Sequence, residues 1–155
     1  MHFQISGLSR EQFAPLFGLP DQVLAAQGVV RQVVDTCPGF PCRVSLQDAN
    51  IGESVLLLNY EHLPVESPYR SRHAIFVREY AVEARLGTNE IPQVLRSRLL
   101  SVRAIDRHGM MIGADVVDGL DVEQVISRFL ENPNANYLHL HNAKPGCFAA
   151  RVDRA

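Results

Sequence analysis

Histidine and cysteine side chains are concentrated near the end of the chain, in the segment "HLHNAKPGCF" at residues 139–148. His139, His141 and Cys147 fall within nine positions of one another. Imidazoles and thiolates are the usual zinc ligands, and a thiolate beside a histidine can act as a nucleophile. The segment therefore suggests a metal site, an activated thiol, or a hairpin with a polar outer face.

The surrounding residues predict two strands, "YLHLHN" and "CFAARV", joined by "AKPG". Because side chains alternate between the faces of a strand, Tyr137, His139 and His141 share one face and the two leucines between them share the other. Pro145 and Gly146 suit the central positions of a type II turn.

Two registers of this hairpin are open. If position 142 lies opposite 147, the histidines share a face with Phe148 and Val152. If position 141 lies opposite 147, a bulge is needed, but the apolar side chains are gathered on one face. Each misplaced large apolar side chain would lose about 1.5–3 kcal/mol, so burial favours the second register. We therefore expect His141 to lie opposite Cys147, with His139 and Arg151 on the same face.

This face supports three kinds of chemistry. In an enzyme, Cys147 or Cys42 would be the nucleophile and His141 or His139 the base, with Arg151 stabilising negative charge. In a metal protein, His139, His141 and Cys147 would be ligands, with Cys42 or Cys37 as a fourth. The spacings H-x-H and C-x4-C match no compact zinc signature, so the metal site is the weaker alternative. A polar face that meets solvent, or is covered by a loop, needs no chemistry at all.

Further candidate binding residues lie in two predicted loops. Arg43 follows "PC" in "PGFPCR", where it could line a pocket with Cys42 or pair with Asp48 or Glu53. Tyr69 and Arg70 lie in "SPYRSRH", a loop type that can bind carboxylate or phosphate. Together with His139 and Arg151, these residues are candidates for binding an anion.

The clearest predicted element is an amphipathic helix at about 121–131, whose apolar residues recur at helical spacing. Short helices are expected near the N-terminus, around 10–17 and 20–28. Strands are expected at 3–9, 29–34, 54–60, 73–83, 99–106 and 110–117, and the last two form a hairpin. Strands outnumber helices and mostly follow one another directly. The pattern predicts one α+β domain over residues 1–155, with a mainly antiparallel sheet and a C-terminal hairpin.

Composition narrows the function classes. The formal charge of -2 does not suggest a nucleic acid or an anionic membrane as the main partner. No apolar run is long enough for a membrane helix, and no signal peptide is recognised at the N-terminus. An odd number of cysteines without an export signal suggests a reducing, cytoplasmic setting. The sequence requires no cofactor, and nucleotide-binding loops and zincin motifs are not found.

Four segments, in order, resemble one family: "PGFPCRVSLQDANIGESVLLLNY", "AIFVREY", "LLSVRAID" and "YLHLHNAKPGCFAARVDR". They are similar to the bacterial domain-of-unknown-function family numbered 1203, over roughly residues 24–154. The resemblance implies a small bacterial cytosolic protein and assigns it no activity. It also implies that Cys42, Arg43, Asn142, Gly146 and Cys147 matter as a set.

Three functions follow as hypotheses, in this order of preference. The first is a module that binds a small anionic ligand or a protein partner through the Arg/His/Cys face. The second is a structural homodimer that uses this face as its interface. The third is a cysteine-dependent hydrolase or redox enzyme.

Overall fold

A computed structural model describes all residues from Met1 to Ala155. It contains eight strands, three α-helices and two short 3₁₀ helices. The strands are β1 Phe3–Ser6, β2 Val30–Val33, β3 Ser54–Leu63, β4 Ser71–Arg78, β5 Leu99–Ile105, β6 Met111–Asp118, β7 Tyr137–Asn142 and β8 Phe148–Arg154. The α-helices are α1 Asp21–Ala26, α2 Gln93–Arg96 and α3 Val122–Leu130, and the 3₁₀ helices are Arg10–Gln12 and Ala14–Leu16. The α+β class and the short N-terminal helices are confirmed.

The larger sheet has five strands in the order β1-β8-β7-β5-β6. Every neighbouring pair in it is antiparallel, including β5 with β7. The predicted β5–β6 hairpin is confirmed. At the other edge of the sheet, β1 pairs with β8, although the two strands are distant in sequence.

Helix α3 packs against β5, β6 and β7 of this sheet. It buries the residues that the helical spacing predicted, namely Val122, Val125, Ile126 and Leu130. Arg154, at the end of β8, donates to the carbonyl oxygens of Leu130 (2.7 Å) and Asn132 (2.8 Å) at the C-terminal end of α3. A cation at this end also suits the helix dipole, so the last strand and α3 are fixed to each other.

The smaller sheet has three strands in the order β2-β3-β4. Glu79, just after β4, accepts a hydrogen bond from Arg31 Nε at 2.6 Å, and Arg31 also pairs with Asp21. The Arg31 hydrogen bond is the main reason that the pKa of Glu79 falls to about 2. This ion pair joins the end of β4 to β2.

By its contacts the chain forms two compact units. The first comprises Met1–Ser6, Glu61–His73 and Arg85–Ala155, and the second comprises Gly7–Tyr60 and Ala74–Ala84. The five-stranded sheet and α3 belong to the first unit. A single domain over the whole chain stays a prediction. None of the helices is long and apolar enough to cross a membrane.

The C-terminal hairpin forms where expected, and its register follows the first alternative next to the turn but neither alternative beyond it. Next to the turn, the backbone N–H of Asn142 donates to Cys147 O at 2.9 Å, and His141 lies opposite Phe148. One residue further the register shifts, so that His139 lies opposite Arg151. The intervening extra residue on β8 is Ala149, which forms a bulge.

The prediction that His141 lies opposite Cys147 is therefore wrong. The bulge was expected beside the turn and instead lies one pair further into the strands. At this position it places Phe148 on the same face as the histidines, where its ring is buried by their rings. The Phe148 ring is thus buried among histidine rings, although the number of apolar side chains on each face favours the other register. Gly146 in the turn adopts a φ of 85°, as the turn prediction requires.

Candidate functional site

One face of the five-stranded sheet carries the histidines. On β7, His139 and His141 point to this face. The register places Arg103 of β5 opposite His139 and Ser101 opposite His141. Arg151 of β8 lies on the other side of His139. Directly opposed side chains in an antiparallel pair have Cβ atoms about 4.5–5.5 Å apart, so these residues are direct neighbours.

A third histidine, His62 near the end of β3, completes the cluster. Its ring centroid lies 4.8 Å from that of His141 and 6.0 Å from that of His139. It also stacks on Phe148, with an angle of 11° between the ring planes. We call His62, His139, His141 and Arg103 the histidine–arginine cluster. All four residues belong to the first compact unit.

Two members of the cluster, His139 and His141, are screened from water by their surroundings. His139 is 5% exposed and His141 is 1% exposed. Beside them, Leu63, Ile105 and Tyr137 form a buried apolar group. Tyr69 is among the partly buried side chains that pack against this group. The prediction of an uncovered polar face therefore does not apply to the histidines of β7.

Burial lowers the pKa of all three histidines. It is the largest cause in each case, and it brings the pKa of His139 and of His141 to about 3 and that of His62 to about 4. Positive charge on Arg103 also disfavours a proton on each of the three rings. The three imidazoles are therefore neutral at physiological pH.

His141 has a defined tautomer. Its Nδ1 lies 2.9 Å from the carbonyl oxygen of Gly146. A carbonyl oxygen only accepts, so Nδ1 must carry the hydrogen and donate it. A neutral imidazole has one N–H, which leaves a lone pair on Nε2.

Arg103 is the cation of the cluster that has no carboxylate partner. Its side chain is partly buried, and its Nε donates to Ser101 Oγ at 3.2 Å. Desolvation lowers its pKa. By contrast, Arg151 donates twice to Asp153, at 2.8 and 2.6 Å, and its guanidinium lies 3.9 Å from the ring centroid of Tyr137. Hydrogen bonding to Asp153 raises the pKa of Arg151.

Two buried side-chain polar atoms have no hydrogen-bond partner, His62 Nδ1 and Asn142 Oδ1. A buried polar atom without a partner usually costs about 1–3 kcal/mol. His62 Nδ1 belongs to the cluster, so part of the hydrogen-bonding capacity of the cluster is unused within the protein.

Cys147 does not join the histidines. Cys147 lies opposite Asn142, on the sheet face that points away from His141. The Asn142 Nδ2 atom donates to Cys147 Sγ at 3.6 Å. The cross-strand Cys147–His141 pair on which the nucleophile hypothesis depended is absent. For the same reason, His139, His141 and Cys147 do not assemble as metal ligands. No group of three or more His, Cys, Asp or Glu side chains is arranged to hold a metal ion.

The remaining candidates lie elsewhere. Cys42 is buried in the apolar core of the second unit, and its Sγ accepts hydrogen bonds from the backbone N–H of Ser45 and of Arg78. Arg43 beside it is 2% exposed, and its side chain donates to the carbonyl oxygen of Pro41. Glu53, one predicted partner of Arg43, instead binds Arg78.

Arg70 is not available as a free anion-binding group. Its Nε donates to Glu61 at 2.8 Å, and its Nη1 pairs with Glu66. Of the predicted binding residues, the structure thus brings together His139 and Arg151, with His141 between His139 and the turn. Arg70 is neutralised by Glu61 and Glu66, and Tyr69 packs against the apolar group beside the cluster.

Sequence reasoning missed His62 and Arg103. His62 lies beyond 54–60, where a strand was predicted, whereas β3 continues to Leu63. The position of Arg103 was predictable in part, because in "LLSVRAI" the polar Ser101 and Arg103 alternate with apolar residues and must share one face of the strand. The pairing of β5 with β7 brings these residues next to the histidines, and no local sequence pattern predicts it.

The structure thus defines an α+β protein with antiparallel sheets and a buried histidine–arginine cluster. Residues 39–154 match the model of the family described as "Protein of unknown function (DUF1203)", and the chain belongs to this family. Comparison with curated proteins and with solved structures gives no match.

Proposed function

We propose that the protein binds a small anionic ligand at the histidine–arginine cluster. The observation that carries this proposal is Arg103, a partly buried cation without a carboxylate partner. Desolvation of an arginine is unfavourable, and an anion with oxygen atoms would compensate it through charge-assisted hydrogen bonds. His62 Nδ1, which is buried without a partner, offers one more polar contact beside the cation.

The contrast with neighbouring arginines supports this assignment. Arg151 and Arg70 are each neutralised by carboxylates of the chain itself. An anion arriving at either of them would have to displace a carboxylate that is already bound. At Arg103 it would meet an uncompensated charge in a partly desolvated environment, where electrostatic attraction is stronger than in water.

Inorganic phosphate is the first probe of this site. Its binding would be followed through the NMR resonances of the six histidines, because three of them belong to the cluster. In Arg103→Gln we expect the affinity to fall by about tenfold or more, since a hydrogen bond to a charged group contributes about 1.5–3 kcal/mol. Arg103→Lys keeps the charge without the planar fork and should lie between the two.

Arg128→Gln is the matched control. Arg128 is an exposed arginine of α3 that pairs with Asp115. Phe129 of α3 lies against Gly113, on the sheet face opposite to the histidines. This variant loses the same charge and should leave phosphate binding within about twofold of wild type. Equal effects of the two substitutions would show that only net charge matters, and the proposed site would be wrong.

A cysteine-dependent enzyme stays as an alternative without its predicted dyad. None of the three cysteines forms a disulfide; Cys37 is exposed, whereas Cys42 and Cys147 are buried. Alkylation of the folded protein by iodoacetamide, compared with Cys37→Ser, tests this alternative. Fast labelling of Cys42 or Cys147 at neutral pH would favour the enzyme.

The homodimer alternative now has better support at the edge strand β6 than at the histidines. Ile112 and Val116 of β6 and Leu120 after it are exposed apolar side chains. Sedimentation of wild type and of Val116→Asp over a range of concentrations tests this alternative, and a monomer at all concentrations would exclude it. The bacterial, cytoplasmic setting that the family resemblance implies is likewise part of the proposal. Subcellular fractionation of a native host tests the cytoplasmic location.

A further inference from the structure

The Nε2 atom of His141 is an acceptor and not a donor. Its Nδ1 hydrogen is used by Gly146 O at 2.9 Å, so Nε2 carries a lone pair as long as the ring is neutral. Arg103 in the same cluster offers only donors. A ligand that satisfies both residues must accept hydrogen bonds from a cation and donate one to an imidazole.

We propose that the ligand is an oxyanion that carries its own hydroxyl proton, and that His141 Nε2 accepts a hydrogen bond from this hydroxyl. The inference rests on the proposed function, since it concerns the same site. Hydrogen phosphate and phosphate monoesters in their protonated form share this chemistry. Sulfate has the same shape but no proton at neutral pH, so its oxygen atoms would face the lone pair with nothing to donate.

The surroundings of His141 keep its ring neutral. Arg103 on β5, His62 on β3 and His139 on the same strand all disfavour a proton on it. His73 on β4 acts in the same direction on His62, and Arg151 on β8 acts in the same direction on His139. The one carboxylate that the structure shows on β8 next to this group, Asp153, is bound to Arg151.

Discrimination by a single missing proton is a strong effect in a buried site. Two acceptors held against each other are both deprived of water, and a buried polar group without a partner costs about 1–3 kcal/mol. This corresponds to a preference for phosphate over sulfate of about fivefold to 150-fold. Arg103 alone would not distinguish the two ions, because it attracts both.

The test is a pair of titrations of the wild-type protein at pH 7 and equal ionic strength, one with inorganic phosphate and one with sodium sulfate. The same histidine resonances report both. We expect phosphate to bind about tenfold more tightly or better. Equal affinities would overturn the inference while leaving anion binding intact. If neither ion binds, or if binding does not depend on Arg103, the proposed function itself is wrong and this inference is wrong with it.

Lower pH provides a second readout that requires no substitution. Sulfate can bind well only when His141 takes up a proton and becomes a donor, so its affinity should rise by up to about tenfold per unit fall in pH between pH 7 and pH 5.5. Phosphate binding should depend less on pH. A pH dependence that is the same for both ions would contradict the role of the lone pair.

His141→Gln is the variant that isolates the lone pair, because a glutamine amide can donate as well as accept. The preference for phosphate should shrink to within about twofold. His108→Gln is the matched control, since His108 is an exposed turn residue and should keep the wild-type preference. An unchanged preference in His141→Gln would assign the discrimination to another group.

Discussion

His139 and His141 lie side by side on β7 and are almost completely removed from solvent. Their pKa values, lowered to about 3 mainly by burial, leave them as neutral polar groups in an apolar setting. Arg103 cannot respond in the same way, because a guanidinium does not lose its proton in proteins. The histidines thus stay neutral while the arginine stays charged, and in the proposed function the arginine is the residue that would attract an anion.

Buried neutral histidines make stability depend on pH. In the unfolded chain each has a pKa of about 6.5, so it binds a proton there before it does in the folded protein. The stability they permit is present above about pH 6.5 and is lost progressively as the pH falls towards the folded pKa of about 3. When the pH falls from 7 to 5.5, protonation of His139 and of His141 in the unfolded chain should each lower the free energy of unfolding by about 1 kcal/mol.

Urea denaturation at several pH values measures this loss. His141→Gln removes one titrating group, so the pH dependence of its free energy of unfolding should be shallower than that of wild type by about 1 kcal/mol over the same range. His108→Gln, at an exposed turn, should keep the wild-type slope. A wild-type stability that is flat from pH 7 to pH 5.5 would contradict burial of neutral histidines.

Among the elements, the β7–β8 hairpin shows best how far sequence reasoning reaches. The strands, the turn and the sharing of a face by His139 and Arg151 were all predictable from alternation. The position of Cys147 was not, because the count of apolar side chains favours a bulge beside the turn, whereas the bulge lies at Ala149. Ring packing of Phe148 against His62 depends on β3, which is distant in sequence, and no local pattern contains it.

The turn of this hairpin depends on one left-handed residue. Gly146 has a φ of 85°, and an added Cβ would meet nothing within 4 Å, so the cost of a side chain there is conformational. We expect Gly146→Ala to lower the free energy of unfolding by about 1 kcal/mol, and Gly146→Asn to lower it less, because asparagine tolerates this conformation. Urea denaturation of both variants measures this difference. Equal stability of wild type and Gly146→Ala would show that the turn can adopt another form.

For the whole molecule, composition and pattern were sufficient to predict an α+β protein with antiparallel sheets. They did not predict the order of strands, because the β1–β8 and β5–β7 pairs join segments that are far apart in the chain. They also did not indicate two compact units. The boundary between these units falls inside β3 and inside β4, so each of these strands supplies residues to both.

Because β3 and β4 are continuous across this boundary, we expect the chain to unfold in a single transition. Pulsed hydrogen exchange in urea, read by mass spectrometry, would follow peptides from 18–52 and from 99–154 separately. Their unfolding midpoints should coincide. Two separate midpoints would instead show two domains and would contradict the single-domain prediction.

The bulge at Ala149 has a consequence for how this chain can change. On the body of the hairpin, odd-numbered residues of β8 face the histidines, whereas at its tip the even-numbered Phe148 does. The bulge therefore reverses the parity of the tip relative to the body. Deleting Ala149 would remove the bulge and continue the regular ladder, with Arg151 still opposite His139 and Phe148 still opposite His141. A one-residue deletion at the bulge is thus compatible with an unchanged set of β8 neighbours around the histidines.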